Sequence, residues 1–252
     1  MTAKAREASF WDHLDELRKV LIRAFLVLVA VSVGLFFFKD FLFDDLILAP
    51  ARPDFFLYRA LGVDVRLDLV NIEVTAQFMT HLKVTFICAA ILCCPYLFYE
   101  IWGFVAPALY AHEKRAVSRA FLLSSVLFYL GLATGYSVVL PLMVNFFQGY
   151  SVSEAIVNTI SLTSYMSMVY STVLLFGLVF ELPVLVAMLS RLGIVTRRML
   201  LGGWRYAVVT VVVLAALITP SGDPFSLMVV SIPLFLLYML SILVCRREAA
   251  EV

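Results

Sequence analysis

Charge is scarce in this chain. Asp, Glu, Lys and Arg make up 15% of the 252 residues, and none occurs between Ala120 and Ser153. Ordinary soluble domains carry about 25% charged residues. Hydrophobic residues reach 63%, too much apolar surface for a water-soluble exterior, so a soluble globular protein is excluded and a polytopic membrane protein is expected. Cysteine is also sparse. Cys88, Cys93, Cys94 and Cys245 lie inside or at the end of apolar runs. No His or Asp accompanies them at ligand spacing, so they read as buried, inert thiols. His13, His81 and His112 are scattered without metal spacing. Enzyme signatures are missing as well. His112-Glu113 begins like a zinc-protease motif but does not complete it. There is no nucleophile elbow, dinucleotide fingerprint or P-loop. No catalytic residue, metal or cofactor is therefore expected. An intramembrane hydrolase lacks the nucleophile-and-base or metal set that it would need. No small-residue cleavage site follows the first apolar run, so no removable leader is expected.

What is present is a succession of apolar runs. They predict an all-α integral membrane protein, one six-span membrane domain over residues 1–252. The spans fall at 20–38, 75–104, 120–147, 160–190, 206–219 and 224–244. Residues 1–19 form an amphipathic segment with Phe10, Leu14, Leu17 and Leu21 at helical spacing. Ser9 with Asp12 three residues on resembles a capping box, and Trp11 suits a membrane interface. Arg23 near the start of span one is placed to snorkel. Pro95 is expected to kink span two, and Pro141 falls near the end of span three. Residues 39–75 hold seven acids and four basic residues and are too polar to span. Within them Val63, Val65, Leu67 and Leu69 alternate with Asp64, Arg66 and Asp68, a period of two that suggests a short strand or interfacial piece. Pro220 to Pro224 read as a turn. Span five is short. Its 14 residues reach only about 21 Å, against about 30 Å of hydrocarbon, which implies local thinning of the bilayer beside it.

Basic residues set the orientation. Five Lys or Arg lie in residues 1–23, three in 114–119, four in 191–205 and two at 246–247. The loops at 148–159 and 220–224 have none. That alternation places both termini in the cytoplasm.

Two clusters on the inferred cytoplasmic face carry acids among the bases: His13-Leu14-Asp15-Glu16-Leu17-Arg18, and Pro107 to Arg115 with Glu113. One reading is a solvated face with helical charge pairs such as Glu16–Lys19. The other is an anionic pocket made by Glu16 and Glu113, because carboxylates accept paired bonds from planar guanidinium groups. Glu181 is a lone acid in span four, two residues before Pro183. An intramembrane carboxyl must face protein, water or a partner. A continuous helix would place it within about 40° of Ser167, on a stripe with Ser164 and Ser171. A neutral Glu hydrogen-bonded within the bundle is the alternative. Lys83 is explained by snorkelling.

These segments resemble the TatC family, the multispanning receptor subunit of twin-arginine protein translocases. The resemblance rests on His13-Leu14-Asp15-Glu16-Leu17-Arg18, on Tyr99 to Tyr110 with Glu113-Lys114-Arg115, on Phe180-Glu181-Leu182-Pro183, and on Thr219-Pro220. It covers nearly the whole chain. Glu100 stands where the family commonly has Gln, and Gln77 where a Pro is common. The resemblance implies a concave, glove-like bundle in the cytoplasmic (inner) membrane. It implies that Glu16 and Glu113 receive the paired arginines of signal peptides on folded substrates, supported by Arg18, Phe104 and Pro107. It further implies that Glu181 faces TatA- and TatB-like single-span subunits, that the protein is a homo-oligomer within that complex with no nucleic-acid partner, and that the proton-motive force drives export. The rival reading is a proton-coupled small-solute secondary transporter with Glu181 and Glu100 as proton carriers. That class is marked by two related halves with broken helices, and no internal repeat is seen.

Overall fold

The computed structural model describes residues 3–105, 111–153, 159–191, 193–219 and 222–245. Five apolar helical stretches are long enough to cross a bilayer: His13–Phe36, Ala76–Phe104, Phe121–Gly149, Leu162–Arg191 and Pro224–Val244. The shorter Trp204–Leu217 is a sixth apolar stretch. Each of the six expected spans overlaps one of these helical stretches. The chain divides into two compact units, one of residues 1–42 and 81–125, the other of 43–80 and 126–252.

The first unit is built on α1 (Ala3–Phe36) and α3 (Ala76–Val105). Two ring stacks define their relation. His13 stacks on Phe104 with centroids 4.3 Å apart, and Phe36 stacks on His81 at 4.1 Å. Early α1 meets late α3 and the reverse, so the helices are antiparallel. One expectation is corrected here. The helix begins by Ala3 and runs through Ser9 without a break, so Ser9 is not its N-cap. The good helix formers Ala3, Lys4, Ala5, Arg6 and Glu7 extend the helix backward past the candidate cap. α3 stays helical across Pro95. The start of α4 (Ala111–Thr134) completes this unit, with Phe121 against Trp102 at 5.5 Å.

The second unit holds spans three to six. α4 passes through a π-helical turn, Gly135–Val139, into α5 (Leu140–Gly149). Pro141 near the start of α5 lacks an amide proton and would clash with the carbonyl four residues back. A widened turn just before it relieves that conflict. Span four is interrupted, which corrects the single run expected there. α6 (Leu162–Val179) ends and α7 (Leu182–Arg191) begins two residues later. Pro183 cannot donate to the Val179 carbonyl, so the ladder breaks there. α8 (Arg197–Gly202), α9 (Trp204–Ile218) and α10 (Pro224–Val244) follow. The Asp223 carboxylate caps α10 by accepting from the Ser226 amide at 2.8 Å. Val139, Met143, Phe176, Val211, Ala215, Val230 and Leu234 form the shared core of these spans. Close packing of span three on span four depends on glycine. A Cβ at Gly131 would fall on the Phe176 carbonyl oxygen, and one at Gly177 would come within 2.9 Å of Leu132 and Phe128.

The 39–75 segment is more structured than a loop. It contains a π-helical turn (Phe41–Ile47), a 3-10 turn (Ala49–Ala51) and α2 (Phe56–Leu61). Gly62 closes α2 in the left-handed conformation at φ 65°. Buried tyrosines fasten the segment. Tyr58 Oη donates to the Pro50 carbonyl at 2.7 Å and Tyr165 Oη to the Ile47 carbonyl at 2.8 Å. Burial also pushes the Tyr58 phenol up from its ordinary pKa. The strand expected across residues 63–69 is reduced to β1, Leu69–Val70. It pairs in parallel with β2, Ile160–Ser161, in the register Leu69↔Ile160. Alternation alone does not make a strand. Among the described residues, those before Leu69 have no partner strand, and Leu67 instead donates its amide to the Ala51 carbonyl.

Candidate functional site

Spacing sets the site out along α1. His13, Glu16, Val20 and Arg23 follow one another at intervals of three and four residues, which places them on one stripe of the helix. Val20 is buried, whereas His13, Glu16, Arg18 and Lys19 are exposed. Tyr96, Glu100 and Phe104 make the corresponding stripe on α3, each four residues from the next. The two stripes meet. The His13–Phe104 stack lies toward one end. Farther along, Arg23 Nη2 donates to Glu100 Oε2 at 2.7 Å. Tyr96 Oη donates to Glu100 Oε1, also at 2.7 Å. The Glu100 side chain is 9% exposed and that of Arg23 57%. A nearly buried carboxylate needs a charged or strongly donating partner, and Glu100 has one on each oxygen.

The sequence-predicted residues are placed unevenly. Glu16 and Arg18 stand exposed near the N-terminal end of α1. Phe104 is brought onto that same region of α1 by its stack on His13. Glu113 lies in the first turn of α4, and its side chain falls outside the described residues, as does Pro107 altogether. Glu181 sits in the two-residue break between α6 and α7, where its carbonyl accepts from the Val184 and Leu185 amides and starts α7. Ser164, Ser167 and Ser171 lie in α6, and Glu181 lies just beyond its end. Ser171 is also turned to local use, donating to the Ser167 carbonyl at 2.9 Å.

Arg23 does more than reach for the interface, since it pairs across to α3. The signal was available: one Arg and one Glu stood in otherwise apolar spans, each near an end inferred to be cytoplasmic. Charges within spans pair with one another. What sequence could not supply was the facing of α1 and α3, spans one and two, which are joined by the long 39–75 segment and not by a short hairpin. His13, which heads the first acidic cluster and has no metal spacing, is placed by its ring stack against α3.

Several known proteins are similar to this chain. The family model for the Sec-independent protein translocase protein TatC matches residues 12–233. A protein of that name from Deinococcus radiodurans is 34% identical over 239 residues, covering 95% of this chain and 86% of the relative. The one from Desulforapulum autotrophicum is 36% identical over 249 residues, covering 98% and 87%. Among solved structures, the twin-arginine translocase receptor TatC superposes with a TM-score of 0.74 at 31% identity, covering 92% of this chain and 97% of that one. The same receptor in DDM gives 0.76, covering 93% and 99%. With a family match that reaches from the first cluster of α1 into α10, and a six-helix fold shared with the solved receptor, the chain belongs to the TatC family of protein translocase components.

Proposed function

We propose that this chain is the signal-peptide receptor of a twin-arginine translocase in the cytoplasmic membrane, with both termini in the cytoplasm. The observation that carries the proposal is Glu16, an exposed carboxylate on the stripe of α1 that faces α3, one turn from the His13–Phe104 stack. A carboxylate beside stacked rings suits a guanidinium, which pairs with the acid through its edge and lies over aromatic faces. Glu113, at the start of α4, is the second acceptor for a pair of arginines. Arg18 and Pro107 belong to the same end of the chain's cytoplasmic surface. Recognition and recruitment are the whole of the mechanism, with no bond made or broken in this chain.

The other partners follow from the membrane placement. Glu181 stands at the junction of α6 and α7, within span four. Single-span subunits of the TatA and TatB kind are the proposed occupants there, in a complex holding more than one copy of this chain. Export draws on the proton-motive force. The test is co-purification of the full chain with a twin-arginine signal peptide, against the same peptide carrying two lysines. Lysine keeps the charge and loses the fork, so the receptor should retain the arginine peptide and lose the lysine one. Equal retention of both peptides would refute arginine recognition.

A further inference from the structure

Arg23 stands between two carboxylates. It bonds to Glu100 across the helix pair. Glu16 lies on the same stripe of its own helix. Glu16 precedes it by seven residues, about 20° short of two full turns and about 10.5 Å along the axis. Side chains on a helix lean toward its N-terminus, and an intramembrane arginine extends toward the nearer interface. For Arg23 both tendencies point toward Glu16. Yet the guanidinium is held on Glu100, whose other oxygen is already taken by Tyr96. With both oxygens occupied, Glu100 is poorly placed to accept an incoming arginine.

We propose that the Arg23–Glu100 pair keeps an internal guanidinium off Glu16, leaving that carboxylate open to the arginine of a signal peptide. This rests on the receptor reading of Glu16. Arg23 and Glu100 are positioning residues, since they act through Glu16 and do not touch the peptide. The chemistry of the competition is symmetrical: the side chain of Arg23 and that of a substrate arginine are the same group. A tethered competitor acts at an effective concentration in the millimolar range, so a released Arg23 would occupy Glu16 for much of the time. Glu100 prevents this because it is nearly buried, and charge pairs gain strength away from water.

The test uses the full chain in lipid nanodiscs and a fluorescent twin-arginine signal peptide, with Kd measured for five proteins. Glu100→Gln keeps the shape and removes the charge that restrains Arg23. It should bind the peptide about fivefold more weakly than the wild type, the upper end of the scale of an exposed ion pair formed in competition. Adding Arg23→Gln to it removes the competitor, and affinity should return to within about twofold of wild type. Arg23→Gln alone should bind no more weakly than wild type. Three results would overturn the proposal: wild-type affinity in Glu100→Gln, no recovery in the double variant, or weakened binding in Arg23→Gln alone. The second of these would make Glu100 itself a ligand of the peptide. Glu16→Gln, the fifth protein, should lose binding. Should it bind normally, the receptor reading fails in its own right, whatever Glu100→Gln does. The single Arg23→Gln variant keeps the test decisive even if Glu100→Gln misfolds, because its result does not depend on that protein.

Discussion

At the residue scale, the chain spends its few charges near helix ends. Glu16 is exposed, whereas Glu100 is nearly buried and is held by two donors. The difference predicts different behaviour on truncation. Glu16→Ala or Glu113→Ala should each weaken signal-peptide binding by about 1–3 kcal/mol, the loss of one charge-assisted bond. Folding and membrane insertion should persist. Normal export by the doubly substituted chain would show that other acids do the binding. Tyr165 offers a contrast in which stability, not binding, is at stake. Its hydroxyl bonds the Ile47 carbonyl in a fully buried setting. Tyr165→Phe leaves that carbonyl unsatisfied and should lower stability by about 1–3 kcal/mol, seen as an earlier thermal transition in detergent with peptide binding unchanged.

At the scale of elements, two breaks and one short helix stand out. The π-turn before Pro141 and the interruption before Pro183 have one cause, a proline that cannot join the ladder. Across the same pair of spans, Gly131 admits the Phe176 carbonyl at a distance that no Cβ would allow. Gly131→Ala should push α4 and α6 apart and destabilise the second unit by about 1–3 kcal/mol, measured as a lower melting temperature. An unchanged melting temperature would mean the contact yields freely. α9 has 15 residues. At 1.5 Å each it reaches about 23 Å, short of a hydrocarbon core of about 30 Å. If neighbouring lipid thins to meet it, that thinner layer is easier to cross for a polar folded cargo. Inserting three or four leucines after Val213 should therefore reduce export while leaving signal-peptide binding intact. Unchanged export by a stably inserted variant would remove any role for the short span.

For the whole molecule, the prediction concerns topology and the role of Glu181. With cytoplasmic termini, a cysteine placed at Asp54 or Gly149 should be labelled from outside intact cells, and one at His112 or Arg198 should not. The four native cysteines would first be replaced; Cys93, Cys94 and Cys245 are buried, so small apolar substitutes suit them. The reverse labelling would invert the orientation and place Glu16 on the wrong side for a cytoplasmic receptor. Glu181→Ala should bind signal peptide normally and fail in assembly with its single-span partners or in export. A variant normal in all three respects would leave Glu181 as a tolerated intramembrane acid.

The sequence by itself determined that the chain is a succession of membrane-spanning helices, because long apolar runs must form helices where hydrocarbon offers no hydrogen bonds. It also placed the clusters around Glu16 and Glu113 and the family to which they belong. Only the tertiary structure decided what faces what. Arg23 and Glu100 are 77 residues apart in sequence, and no periodicity in either span specifies its partner. The same holds for the pairing of Leu69 with Ile160 across the intervening spans. Apolar burial in a membrane is nearly blind to partner, since lipid and protein are both apolar, so facing is settled by small and polar groups. In this chain those are Gly131 under the Phe176 carbonyl, the tyrosine hydroxyls on the 39–75 segment, and a guanidinium held on one carboxylate rather than another.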